Sequence, residues 1–385
     1  MSLSTKASDP QQQPVVPERN ARGANKSRGA RLPGIVTLAR WRVRQTWRLL
    51  LITGVGIVAA VMLVCAVPLY SDVSQSAGLR GVISTSYQSS DIEVLGQSKV
   101  VSKAIIDQTT QKLNAEFQSK LGPYLKPLEF SVQVPLLPIY VNQPTPCSGQ
   151  KPPFESCDLI QFSGASMAQA AAHLRLAQGR LPQDNGQTGD KTLDIALTQE
   201  SATLLNATVG SLIPTSFSFS LPPHVLIIDN VMLRVVGVFN IDGENDPYWH
   251  GNTYKSVPRP PPGGSIITGL AANNALLTLY NTAFADSQAA GTTLDQPLVM
   301  SWYYPLDASR IVISNLDDIL NGVNAVQVDV GNNPDYNQGA YLGQTTVVLP
   351  SDILQRYHDR IAVAQVPVLS MLAFVLALVL FFVSM

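Results

Sequence analysis

The chain has 385 residues, with 26 Lys and Arg against 27 Asp and Glu, for a net charge of −1. That length exceeds one average domain. Hydrophobic residues make up 45% and charged residues 14%, a balance that membrane spans produce. The near-neutral total hides an asymmetry. The segment 1–48 holds Lys6, Arg19, Arg22, Lys26, Arg28, Arg31, Arg40, Arg42, Arg44 and Arg48 against only Asp9 and Glu18, so the remainder of the chain is acidic. The basic arm is read as a tail beside anionic lipid, and no nucleic-acid partner is expected.

Residues 1–34 are polar, with few large apolar side chains, and are expected to form a disordered basic cytoplasmic tail. Residues 35–48, IVTLARWRVRQTWR, interleave Trp41 and Trp47 with arginines. That pattern predicts a juxtamembrane helix at the lipid interface. The run Leu49–Leu69 carries no charged side chain. A hydrocarbon core about 30 Å thick needs about 20 helical residues, whereas the apolar core of a signal peptide has only about 7–15. The run is long enough for the former and too long for the latter. The exit Ala66-Val67-Pro68 is a poor cleavage site. Residues 49–69 are therefore read as a retained transmembrane helix. The basic flank places the N-terminus in the cytoplasm and residues 70–362 outside. Gly56 and Ala60 form a small-xxx-small pair that suits close helix packing, and Cys65 is read as a small apolar filler.

In the outer segment, Ser98–Leu121 reads as a helix from Val101, Ile105, Ile106, Leu113 and Phe117. Leu128–Val141 is rich in strand formers, with Pro135 and Pro138 restricting it to an edge. Cys147 and Cys157 bracket a short loop on the oxidising side. A disulfide there would contribute about 2–3 kcal/mol, with two free thiols as the alternative. Ser166–Gln178 reads as an alanine-rich helix, Leu193–Leu197 as a strand and Gln199–Leu205 as a short helix. Ser216–Leu221 and Met232–Ile241 read as strands, completing a small β-rich module.

The segment DGENDPYWHGNTY, Asp242–Tyr254, reads as a surface loop. Calcium binding by Asp242, Glu244 and Asp246 is set aside in favour of an ordinary acidic loop. Tyr248, Trp249 and Tyr254 make the loop a candidate partner-contact surface, because exposed aromatics on loops favour binding, with simple packing as the alternative. Val257–Gly264 is a stiff, proline-rich connection. Leu270–Phe284 reads as a helix, Leu298–Tyr304 as a strand, Ser309–Val323 as a helix and Ala325–Val330 as a strand. A helix beginning near Ser351 leads into Val366–Met385, a second long run without charge. This run is read as a second transmembrane helix over 363–385, ending a chain that looks truncated. The mixture predicts an α+β extracytoplasmic domain on two transmembrane helices.

Enzyme motifs are missing: there is no G-x-S-x-G, H-E-x-x-H, Walker loop or G-x-G-x-x-G. His173, His224, His250 and His358 are isolated in sequence and read as surface residues. No catalytic, cofactor-binding or metal-ligating residue is assigned.

Three stretches carry a family resemblance: LARWRVRQTWRLLLITGVGIVAAVML, LAQGRLPQDNGQ…DIALTQESATLLNATVGSLI and MLRVVGVFN. In this order they resemble the permease subunit of bacterial FtsX/MacB-type ABC transporters, over Leu38–Met385. The resemblance implies a mixed α/β part near the plasma membrane, with an inserted β-rich part at about 180–265. It also implies a separate cytoplasmic ATPase that binds the ATP, a second permease copy, and an extracytoplasmic protein, peptide or lipid-linked substrate. The two further spans of that family are not in this sequence. The competing expectations are a two-span sensor with an extracytoplasmic ligand-binding domain, and a membrane-anchored scaffold.

Overall fold

The structure is a computed structural model. It describes residues 35–85, 90–98, 103–139, 158–183, 191–221, 225–241, 243, 246–252, 254–258, 264–289, 291, 293–294, 297–337, 344–350, 354–360 and four positions beyond. The chain divides into two units, residues 1–63 and 64–385. The first is helical from residue 35. The helix α1 as a whole spans Ile35–Thr85. Every described side chain of the run 49–69 is exposed, including Leu51, Val55, Val58 and Met62. Among the described residues no helix is long and apolar enough to cross a membrane; the other side chains of that run lie outside the described set.

Among the described residues the second unit is built on one mixed sheet of 13 strands. After α1 come β1 (Asp91–Ser98), α2 (Lys103–Leu121), β2 (Glu129–Gln133), β3 (Leu137–Pro138) and β4 (Leu159–Ala165). A single turn of helix, α3 (Met167–Ala170), precedes β5 (Leu174–Gly179), β6 (Thr192–Thr198) and α4 (Gln199–Leu204). Then follow β7 (Leu212–Leu221), β8 (Val225–Ile241), β9 (Val257–Pro258), β10 (Ser265–Ala272) and α5 (Asn273–Ala289). The described chain continues with β11 (Thr293–Leu294), β12 (Leu298–Pro305), α6 (Leu316–Asn332), α7 (Pro334–Asn337) and β13 (Gln344–Val348).

The spatial order is β11-β7-β8-β6-β10-β4-β2-β12-β1-β13. The pairs β10–β4 and β6–β8 are parallel, and β1–β12, β12–β2 and β7–β8 are antiparallel. Period two sorts the side chains between the sheet's faces. Leu193, Ile195 and Leu197 of β6 enter the main core, while Ala196 between them enters a smaller cluster with Phe239, Trp249, Tyr254 and Leu270. α2 buries Ile106, Thr109, Leu113, Phe117 and Leu121, one helical stripe. Its Phe117 stacks on Tyr304 of β12 at 3.7 Å. Asn273 ties α5 to β2: it accepts from Val132 N at 3.1 Å and donates to Phe130 O at 2.6 Å.

Several expected elements take a different form. The alanine-rich helix 166–178 is only α3; from Leu174 the chain pairs with β8, Leu174 opposite Ile241. Helix propensity over so short a segment is weak beside a sheet ladder that also buries Leu174. Residues 325–330 are helical. Val326 and Val330 extend the stripe Leu316, Ile319, Leu320, Val323, while Val328 is 56% exposed. The apparent alternation is two turns of a helix. The helix expected over 270–284 starts at Asn273, because Leu270–Ala272 complete the parallel ladder with β4. β2 is an interior strand between β4 and β12, with Pro135 falling just beyond it. The strands of 180–265 join the same sheet as the rest. The second apolar run and the loop of Cys147 and Cys157 lie outside the described residues, four positions of the run excepted.

Candidate functional site

Within the second unit, the segment entering the domain and the segment leaving it meet. The last turns of α1 turn Ser76, Leu79 and Ile83 inward, spaced three and four positions apart. Two hydrogen bonds fix this face to the approach of α6. Arg80 Nε donates to Ile311 O at 3.0 Å, and Ile313 N donates to Ser76 Oγ at 3.2 Å. The leaving segment is helical over 354–360. Leu354 is fully buried, and Tyr357 lies against the main core. The Tyr357 hydroxyl donates to Gln75 O at 2.8 Å. A Cβ at Gly78 would sit 2.5 Å from that hydroxyl, so the close approach depends on glycine. His358 Nε2 lies 3.1 Å from Asp317 Oδ1 in the first turn of α6. Partial burial raises the Tyr357 phenol above its ordinary pKa. The two segments and the start of α6 therefore share one bracket of three hydrogen bonds that each use a backbone group, and a His358–Asp317 contact.

A second ordered place is the turn after β8. Asp246 caps a short helical turn, Pro247–Trp249, by accepting from Tyr248 N at 3.0 Å. His250 follows in the left-handed region, φ 48°. The candidate contact aromatics are mostly inside: Trp249 and Tyr254 are 5% and 6% exposed. Trp249 Nε1 donates to His173 O at 3.3 Å, and Tyr248 stacks on the His173 ring at 4.1 Å. Burial pushes the phenols of Tyr248 and Tyr254 well above their ordinary range. The premise of exposed aromatics thus fails for Trp249 and Tyr254, which pack the smaller core. His250 is not a surface residue either. Its side chain is 8% exposed, with Nδ1 2.5 Å from Asp91 Oδ2 and Nε2 3.1 Å from Glu129 Oε2. Those carboxylates lie 159 and 121 residues away in sequence, and no local signal announced them.

Among the described residues no group of His, Cys, Asp and Glu is arranged to hold a metal ion. Cys65 is a free, exposed thiol. Nothing lies within 4 Å of a Cβ built on Gly56, and the side chain of Ala60 is outside the described residues.

The turn Gly179-Arg180-Leu181-Pro182 has a clear physical basis. Gly179 has φ +75°, and a Cβ there would overlap Val236 O. Arg180 N donates to Val236 O at 2.9 Å. Arg180 and Arg234 grip the buried Asp194 carboxylate at 2.8 and 2.6 Å. Thr198 caps α4 by accepting from Ser201 N at 3.1 Å.

These elements define a mixed α/β domain with a large mixed sheet. No protein-family model matches the sequence, and no curated protein matches it.

Proposed function

We propose that the chain is the permease subunit of an ABC transporter of the FtsX/MacB type, or a part of one. In this reading α1 crosses the plasma membrane with residues 1–48 inside, and the domain of residues 70–362 stands outside. Motion of a separate cytoplasmic ATPase reaches that domain through the entering and leaving segments. The observation that carries the reading is the bracket at Gln75, Gly78 and Tyr357. Segments bonded to each other and to the stretch 311–317 cannot shift without moving that stretch. The continuous helix through the uncharged run 49–69, with its exposed apolar side chains, supports membrane insertion. The ordered series of motifs from Gly179 to Asn240 supports the family.

The catalytic work of ATP hydrolysis falls to the partner, and the substrate is a protein, peptide or lipid-linked molecule met outside. The test is purification of the chain from its native membranes. A nucleotide-hydrolysing subunit is expected to co-purify in fixed ratio with two copies of this chain, the complex hydrolysing ATP and the chain alone not. A chain that purifies without an ATPase, or fused to a kinase-like segment, overturns the proposal in favour of a scaffold or a sensor.

A further inference from the structure

We propose that the turn Asp246–Asn252 is held on the sheet by a pH-operated latch, in which the His250 imidazolium bridges Asp91 and Glu129 and its deprotonation loosens the turn. The latch stands independently of the permease reading.

The geometry requires two donors on one ring. Nδ1 faces Asp91 Oδ2 and Nε2 faces Glu129 Oε2, on opposite sides of the imidazole. Only the charged ring carries a proton on both nitrogens. A neutral ring satisfies one carboxylate and points a lone pair at the other. The site is nearly closed, with His250 and Asp91 side chains 8% and 6% exposed and Glu129 25%. An unmatched acceptor there is costly.

The groups around the ring favour the cation. Asp91 comes from β1 and Glu129 from β2. From β12, Tyr303 stacks on His250 at 3.5 Å with the rings 3° apart, and its phenol is bonded to Glu93 of β1. From its own turn, Tyr248 lies 6.4 Å away. Asp246 is engaged by His173 at 2.8 Å, and Tyr254 is a buried neutral phenol. Each acidic group facing the ring is a carboxylate or an un-ionised phenol, and no Lys or Arg bonds to it among the described contacts. Burial acts against the charged ring, but the hydrogen bonds and charges of Asp91 and Glu129 outweigh it and raise its pKa.

The sign follows from that direction. A histidine whose folded pKa is raised contributes stability that is full below its unfolded value, about 6.5, and is lost as pH rises through the folded value. The latch is closed below about 6.5 and opens as pH rises through the folded value, which lies above it. The His173–Asp246 pair holds the other end of the turn, so opening is local.

The test is hydrogen exchange of the full chain between pH 6.5 and 9.5, corrected for the intrinsic pH dependence and read at amides 246–252. Wild-type protection is expected to fall about tenfold or more across the range. His250→Gln should show low protection at every pH with no step. Asp91→Asn should move the step to lower pH, and His173→Gln should leave it in place. Flat wild-type protection overturns the proposal, as does a step that persists in His250→Gln. If His250→Gln does not fold, an unshifted step in Asp91→Asn overturns it.

Discussion

The Tyr357 hydroxyl reaches across Gly78 to the carbonyl of Gln75, joining the segment that leaves the domain to the one that enters it. Tyr357→Phe removes one part-buried hydrogen bond and should cost about 1 kcal/mol. Gly78→Ala gains helix propensity of about 1 kcal/mol but forces the phenol aside, for a net loss of about 1 kcal/mol. The double variant relieves the overlap. Denaturant unfolding should therefore give a double-variant cost smaller than the sum of the singles; strict additivity would mean that the two positions do not touch.

Asp194 is held by two arginines that are themselves half exposed. Asp194→Ala removes the buried carboxylate that both arginines bond and should cost about 2 kcal/mol, discounted from a fully buried pair for solvent screening. Gly179→Ala adds a Cβ at positive φ against Val236 O and should cost at least as much. Thermal unfolding of the two variants checks both, and unchanged melting temperatures would refute the structural role of this turn.

Trp249 separates packing from docking. Trp249→Ala empties a ring-sized volume in the smaller core and should destabilise by about 3 kcal/mol. A residue whose role is partner contact would leave unfolding unchanged.

Stability should also depend on pH through His250. Its raised pKa means that the contribution is present below about 6.5 and declines as pH rises through the folded value. Denaturant unfolding at pH 9 should give a wild-type stability about 1–2 kcal/mol below that at pH 6.5, a difference that His250→Gln should largely erase.

Local signals carry a good part of the fold. The α2 stripe, the strand and Thr-capped helix at Thr192–Leu204, and strand β12 lie close to where periodicity puts them, because each buries its own regular face. The strand Leu174–Gly179 is hidden because its partner β8 lies far along the chain, Leu174 facing Ile241, and its own residues favour helix. Residues 325–330 mislead because valines at every second position also fit a helix when the intervening ones are exposed. The junction and the His250 bridge have no sequence signature. Gly78 and Tyr357, or Asp91 and His250, become neighbours only after the sheet has formed. Isolation in sequence is no guide to exposure for a histidine.

The most direct test of the central claim is sided labelling of single cysteines in intact cells, in a background with Cys65, Cys147 and Cys157 replaced by Ser. Arg44→Cys and Val257→Cys both fall at exposed positions. A membrane-impermeant thiol reagent added outside should label Val257→Cys and reach Arg44→Cys only after the membrane is opened. Labelling of both from outside, or of neither, would contradict a chain that passes through the membrane between them.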